Sequence, residues 1–174
     1  GGRTLAEHLR QRNYEVLFDH GRSQADPADK LGKIASWAGQ PYSYEAILGH
    51  LDIAIVTPIT NRAIALIEIE ESTDNPKMLL GDIFACLLGE QVTFQGARQL
   101  GVGEWTTLLV LAHSFPSTHQ TRLKYLQSTA LQLKAHSTAA NSRIGIVTLD
   151  SFTDEAELEA KVKRCVDSAI EQAV

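Results

Sequence analysis

Two apolar runs separated by five turn residues constrain this chain more than any other feature. Residues 51–57 (LDIAIVT) and 63–70 (AIALIEIE) are rich in branched and small apolar side chains, and residues 58–62 (PITNR) hold a proline and an asparagine. Runs of that length bounded by turn formers predict an antiparallel hairpin. With the turn centred near Thr60, Ala54 opposes Leu66, Asp52 opposes Glu68 and His50 opposes Glu70. Side chains alternate along a strand, so these polar groups share one face, while Ile53, Ile55, Ala65, Ile67 and Ile69 form core on the other.

Acids are ordinary where strand ends meet solvent, and that is one reading of Asp52 and Glu68. The other starts from their opposition. Directly opposed residues have Cβ atoms about 5 Å apart. Two carboxylates at that spacing repel, and one must hold a proton unless a cation lies between them. A shared divalent ion removes the conflict. Oxygen donors with no cysteine nearby suit Mg²⁺ or Mn²⁺ rather than zinc.

The flanking sequence sets the hairpin in a layered domain. Thr4 and Glu7 have capping-box spacing for a helix to about Arg12, and residues 14–19 read as a strand. Asp26 and Pro27 open an expected helix through Trp37, closed by Gly39. A helix is expected over 77–91, a strand over 105–113, a helix from about Ser117, a strand over 143–149 and a last helix from about Asp154. The 174 residues, 44% hydrophobic, suffice for one core. The expected fold is therefore a single α/β domain over 1–174, a central mixed sheet with an antiparallel hairpin core flanked by helices.

No apolar run reaches the roughly 18 residues of a membrane span, so no membrane partner is expected. The stretch GGRTLAEHLRQR has no apolar segment that could serve as a secretion signal, and Cys86 and Cys165 sit in apolar helical patterns and are expected as reduced core residues. A cytoplasmic protein is the default expectation. The net charge of −5 argues against nonspecific coating of nucleic acid. Its distribution is uneven: residues 41–90 carry two Lys/Arg against eight Asp/Glu, and residues 91–140 four against one. A metal-dependent site acting on a polyanion has that distribution, and so does a chance cluster. "GARQLGVG" (residues 96–103) lacks the spacing of a phosphate loop or a dinucleotide turn, so no nucleotide cofactor is expected.

With "LDIAIV" supplying an Asp, "IEIEES" a Glu and "PKMLLGDIFACLL" the helix that follows, residues 3–113 resemble the PD-(D/E)XK, or restriction-endonuclease-like, nuclease superfamily. The resemblance implies a restriction-endonuclease-like fold and Mg²⁺- or Mn²⁺-dependent hydrolysis of phosphodiesters in nucleic acid, with DNA as the expected substrate. It implies Asp52 and Glu68 as metal ligands. Leu51 stands where many members have proline. Glu70 stands at the lysine position; some members carry Glu there, and in others the lysine comes from the next helix, where this chain has Lys77. Glu70 is then expected to bind a second metal or to orient water, and Lys77 to counter phosphate charge with its ammonium near Glu68 or Glu70; a solvated Lys77 beside Pro76 is the plain alternative.

His50 reads as a proton shuttle beside Glu70 or as a strand-edge histidine. Glu7 reads as a first-helix acid of the family or as a capping residue, and Asp82 as a group that pairs with or orients a base. A domain this small that cuts both DNA strands is expected to form a homodimer. The rival function is a catalytically decayed nuclease fold that binds nucleic acid or a protein partner; a small-molecule hydrolase is the third.

Overall fold

A computed structural model of the chain describes residues 2–19, 30–39, 44–71, 76–113 and 120–173. Its elements run α1 (Gly2–Gln11), β1 (Glu15–Phe18), β2 (Lys30–Leu31), β3 (Ile34–Trp37), β4 (Ile47–Leu51), β5 (Ile53–Val56), β6 (Ala63–Glu70), α2 (Pro76–Leu87), β7 (Gln91–Phe94), β8 (Arg98–Leu100), β9 (Thr107–His113), α3 (Gln120–His136), β10 (Ile146–Phe152) and α4 (Glu155–Ala173). The architecture is α/β, with a mixed central sheet flanked by helices.

That sheet has the order β10–β9–β6–β5–β1–β2. β5 runs antiparallel to β6 and β1, whereas β6, β9 and β10 are parallel. The hairpin register is the one the turn predicts: Ile53 opposes Ile67, Ala54 opposes Leu66 and Ile55 opposes Ala65. Each face of the sheet has its own helices. Ile55, Ile67 and Leu109 pack with Ala6 and Leu9 of α1 and Val162 and Val166 of α4. Ala54, Leu66 and Val110 face the other way, toward Leu79 and Ile83 of α2 and Leu123 and Leu126 of α3.

The second core also takes in a four-stranded antiparallel sheet, β4–β3–β7–β8, through Ile34, Leu51 and Val92. α2 seats closely on it. A Cβ on Gly49 would meet the Ala85 Cβ at 2.7 Å, and one on Gly89 would collide with the Ser36 hydroxyl. A side chain at 49 would push α2 away through Ala85, and one at 89 would displace the Ser36 hydroxyl from the Ala85 carbonyl, so both positions keep α2 close on the sheet.

This second sheet corrects the expected helix through Trp37. Residues 30–31 and 34–37 are strands, while Asp26 and Pro27 lie outside the described residues. All four residues of β3 are buried, because it is an inner strand between β4 and β7. A short run buried on both faces carries no alternation to separate it from a helix. β4, β7 and β8 were likewise not expected. α1 begins at Gly2, ahead of the predicted cap at Thr4, and α2 ends at Leu87 rather than residue 91. β9 starts at Thr107, and the last strand lies three residues later than expected, with Ala140–Arg143 forming a 3₁₀ turn instead. α4 starts where predicted; the Glu157 N–H donates to Asp154 Oδ1 at 2.8 Å, as an N-cap requires.

β10 ends the central sheet, and its outer edge is covered by side chains. The Gln127 amide of α3 donates to the Val147 carbonyl and accepts from the Leu149 N–H at 2.7 Å, taking the place of a neighbouring strand. Lys134 Nζ donates to the Gly145 carbonyl at 2.7 Å, and Lys161 Nζ to the Ser151 carbonyl. Exposed edges are templates for pairing with another chain. Gln127→Leu is therefore expected to lower Tm by roughly 2–8 °C, from about 1–2 kcal/mol of lost and unsatisfied hydrogen bonds. Self-association should rise with it in sedimentation velocity; an unchanged Tm would show that the amide does not close this edge.

Candidate functional site

The chain from residue 47 to 56 belongs to two sheets, and Asp52 is the residue where it passes between them. β4 ends at Leu51 and β5 begins at Ile53. Asp52 is held from three sides. Its N–H donates to Glu68 Oε2 at 3.1 Å, its carbonyl accepts from the Asp19 N–H at 2.8 Å, and its Oδ2 accepts from the Ile69 N–H at 2.7 Å. The two predicted carboxylates are thus brought together, each accepting a main-chain hydrogen bond from the opposite strand.

Glu68 and Glu70 share the Leu66 face, which looks toward α2. From that helix comes Asp82, and one turn further on, Cys86. Burial, then Asp52 and Asp82, then Glu70 push the Glu68 carboxyl up to about 9, against the lowering effect of the Asp52 N–H. Burial, Glu70 and Asp52 push Asp82 up to about 6. Asp82 Oδ2 is buried without a hydrogen-bond partner among the described residues. Cys86 is fully buried; burial, Glu68 and Asp82 raise its thiol far above the usual range, so it stays protonated and inert. Four carboxylates therefore act on one another at the carboxyl end of β6, and all four, Asp52, Glu68, Glu70 and Asp82, are half-buried.

The expected pairing of His50 with Glu70 is corrected. His50 lies in β4 and pairs with Ala35 in the second sheet, because the strand leaves the hairpin at Asp52. Its Nδ1 lies 3.8 Å from Asp19 Oδ2, whose side chain is 3% exposed. Sequence reasoning missed Asp19 as a neighbour of Asp52; its one signal was a polar residue closing the apolar strand "YEVLF". Glu7 is exposed on α1 and Glu71 is exposed after β6. Lys77 stands in the first turn of α2, about 140° around the helix from Asp82 at about 100° per residue.

The donors at this site are carboxylate oxygens, which suit a hard divalent cation. Among the described residues no three His, Cys, Asp or Glu side chains stand close enough to hold an ion by themselves. Asp52 and Glu68 fit the lower requirement of Mg²⁺, which is commonly held by one or two carboxylates and completes its shell with water and substrate phosphate. The unpartnered Asp82 Oδ2 supplies an acceptor for such a water. No helix among the described residues is long and apolar enough to cross a membrane. No protein-family model, curated protein or solved structure matches the chain.

Proposed function

We propose that this chain is a divalent-metal-dependent phosphodiesterase acting on nucleic acid, DNA in the first instance, with Asp52 and Glu68 as the metal ligands. The observation that carries the reading is the convergence of Asp52, Glu68, Glu70 and Asp82 at one end of the sheet, a concentration of negative charge that needs protons or a cation. The element order supports it: a helix and a strand precede the Asp52–Glu68 hairpin, a helix follows it and a further core strand comes later, as the nuclease resemblance implies.

Bound Mg²⁺ or Mn²⁺ would supply Lewis acidity toward a phosphate oxygen. The chain's own residues would do the rest. Main-chain hydrogen bonds from Ile69 and Asp52 fix the Asp52 and Glu68 carboxylates, so neither has to be ordered when substrate arrives. Glu70, two residues along the same strand face, would orient the attacking water and accept its proton as the ester oxygen departs. Lys77 would place its ammonium beside the phosphate.

Calorimetric titration with Mn²⁺ and incubation with single- and double-stranded oligonucleotides test this together. Binding that disappears in Asp52→Asn, with cleavage in the wild type, is the expected result. Lys77→Met should then slow cleavage about a hundredfold, the usual effect of one lost electrostatic stabiliser, and leave the Mn²⁺ isotherm unchanged. Glu70 in place of lysine favours a second reading, a decayed nuclease fold that only binds. Oligonucleotide or protein binding without Mn²⁺ binding and without cleavage would establish that reading instead.

A further inference from the structure

We propose that the exposed side of the amino-terminal half of α3 holds the sugar-phosphate backbone of the nucleic acid, with Arg122 and Lys124 on phosphates and Tyr125 beneath an unstacked base. The inference rests on the phosphodiesterase reading and gives it a substrate-binding surface.

In a chain with 21 acidic and 16 basic residues, the 17 residues of α3 include no acid. Arg122 and Lys124 are exposed, and among the described residues neither is engaged by a carboxylate. Tyr125 is 70% exposed, far beyond what a core-facing aromatic shows. Arg122, Tyr125, Thr129, Gln132 and His136 follow one another at steps of three and four, so they make one continuous polar stripe, all of it exposed. Cations, an aromatic platform and amide or hydroxyl donors without acids are the groups that track a phosphate backbone and stack its bases. A protein-docking helix would instead present a run of apolar anchors.

The stripe begins at the same end of the sheet as the carboxylates. Gln127 bonds Val147 and Leu149 while Lys134 bonds Gly145, so α3 runs antiparallel to β10. Its first turns therefore lie level with the end of β10, where Ser151 pairs with Ala112 and Ala112 with Glu70. α3 also stands on the sheet face that Glu68 and Glu70 share, packed beside α2. Two strand spacings, about 10 Å, separate β10 from β6 along the sheet, and the stripe stands above that plane on the outer side of α3. The carboxylates repel phosphate, and a basic surface at the same end of the sheet supplies the attraction they lack.

Fluorescence anisotropy with labelled single-stranded and duplex DNA and RNA oligonucleotides, in chelator so that nothing is cut, tests the assignment. Arg122→Glu with Lys124→Glu should weaken binding at least tenfold and flatten the dependence of log Kd on log salt by about 1.4–1.8, the loss of two phosphate contacts. Tyr125→Ala should weaken single-stranded binding roughly tenfold and duplex binding little. All three residues are exposed, so Tm and circular dichroism should match the wild type. In Mn²⁺ the double variant should show a raised KM and an unchanged kcat. Wild-type binding whose affinity and salt slope survive the double substitution overturns the assignment while leaving the phosphodiesterase reading intact. Binding through these residues with no cleavage in any metal keeps the α3 surface and removes the phosphodiesterase reading. No binding to any oligonucleotide overturns the α3 assignment outright.

Discussion

Asp52→Asn and Glu68→Gln are each expected to abolish metal-dependent cleavage while leaving the fold intact. The geometry makes these clean tests of charge. Asn at position 52 keeps an oxygen to accept from the Ile69 N–H, and Gln at position 68 keeps one to accept from the Asp52 N–H. The hydrogen bonds that fix the bend between the two sheets therefore persist, and what is removed is the carboxylate each residue presents to a bound cation. A carboxylate ligand acts on both cation affinity and the reacting phosphate, so its loss should exceed the roughly 10²–10³-fold of a single lost transition-state donor. Initial rates on an oligonucleotide substrate in saturating Mn²⁺ check this. Asp82→Asn should cost less, since Asp82 bears on the site through its neighbours and through water. Cleavage retained in either the Asp52 or the Glu68 variant would remove this pair as ligands.

What could be read from the sequence follows from where the chain alternates. β5 and β6 are buried on both faces along most of their length, yet the turn length pinned their register, and the acids at one end marked a face. The result was the correct pairing of Ala54 with Leu66 and the meeting of Asp52 with Glu68. Long helices with an apolar stripe, α3 and α4, were legible for the same reason. The second sheet was not. Ile34–Trp37 is four residues long and wholly buried, and one of its two partners, Gln91–Phe94, is distant in sequence. Local pattern carries no record of such partners. Nothing in the local pattern marks the bend at Asp52 that this sheet creates, which takes His50 away from Glu70 and brings Asp19 beside Asp52. The gap falls at the site itself because the site is built where the two sheets join.

In metal-free buffer the protein is expected to lose stability as pH rises from about 5 to about 9. Glu68 carries the effect. Its carboxyl lies at about 9 in the folded chain against an ordinary 4.5, because burial and then Asp52, Asp82 and Glu70 oppose its ionisation. A group whose folded pKa is raised contributes stability that is fully present below its unfolded value and is lost as pH climbs to the folded one. Asp82, at about 6 against 3.8, acts in the same direction over a lower window. Cys86 also faces the cluster but holds its proton throughout this range. A tenfold change in proton affinity corresponds to about 1.4 kcal/mol. Because the four acids share their repulsion, the combined loss should be a few kcal/mol, roughly 5–15 °C in Tm. Glu68→Gln removes the main titrating group. The variant should show a flatter profile and, near pH 8 in chelator, should melt above the wild type, the reverse of what losing a purely structural carboxylate produces. Saturating Mn²⁺ should raise the wild-type Tm at that pH and leave Glu68→Gln almost unmoved, because a cation that binds only the folded state stabilises it by mass action. Thermal melts across pH, with and without metal, measure all of this. A wild-type Tm that is flat or rising from pH 5 to 9 in chelator would mean that the four carboxylates do not face one another as described.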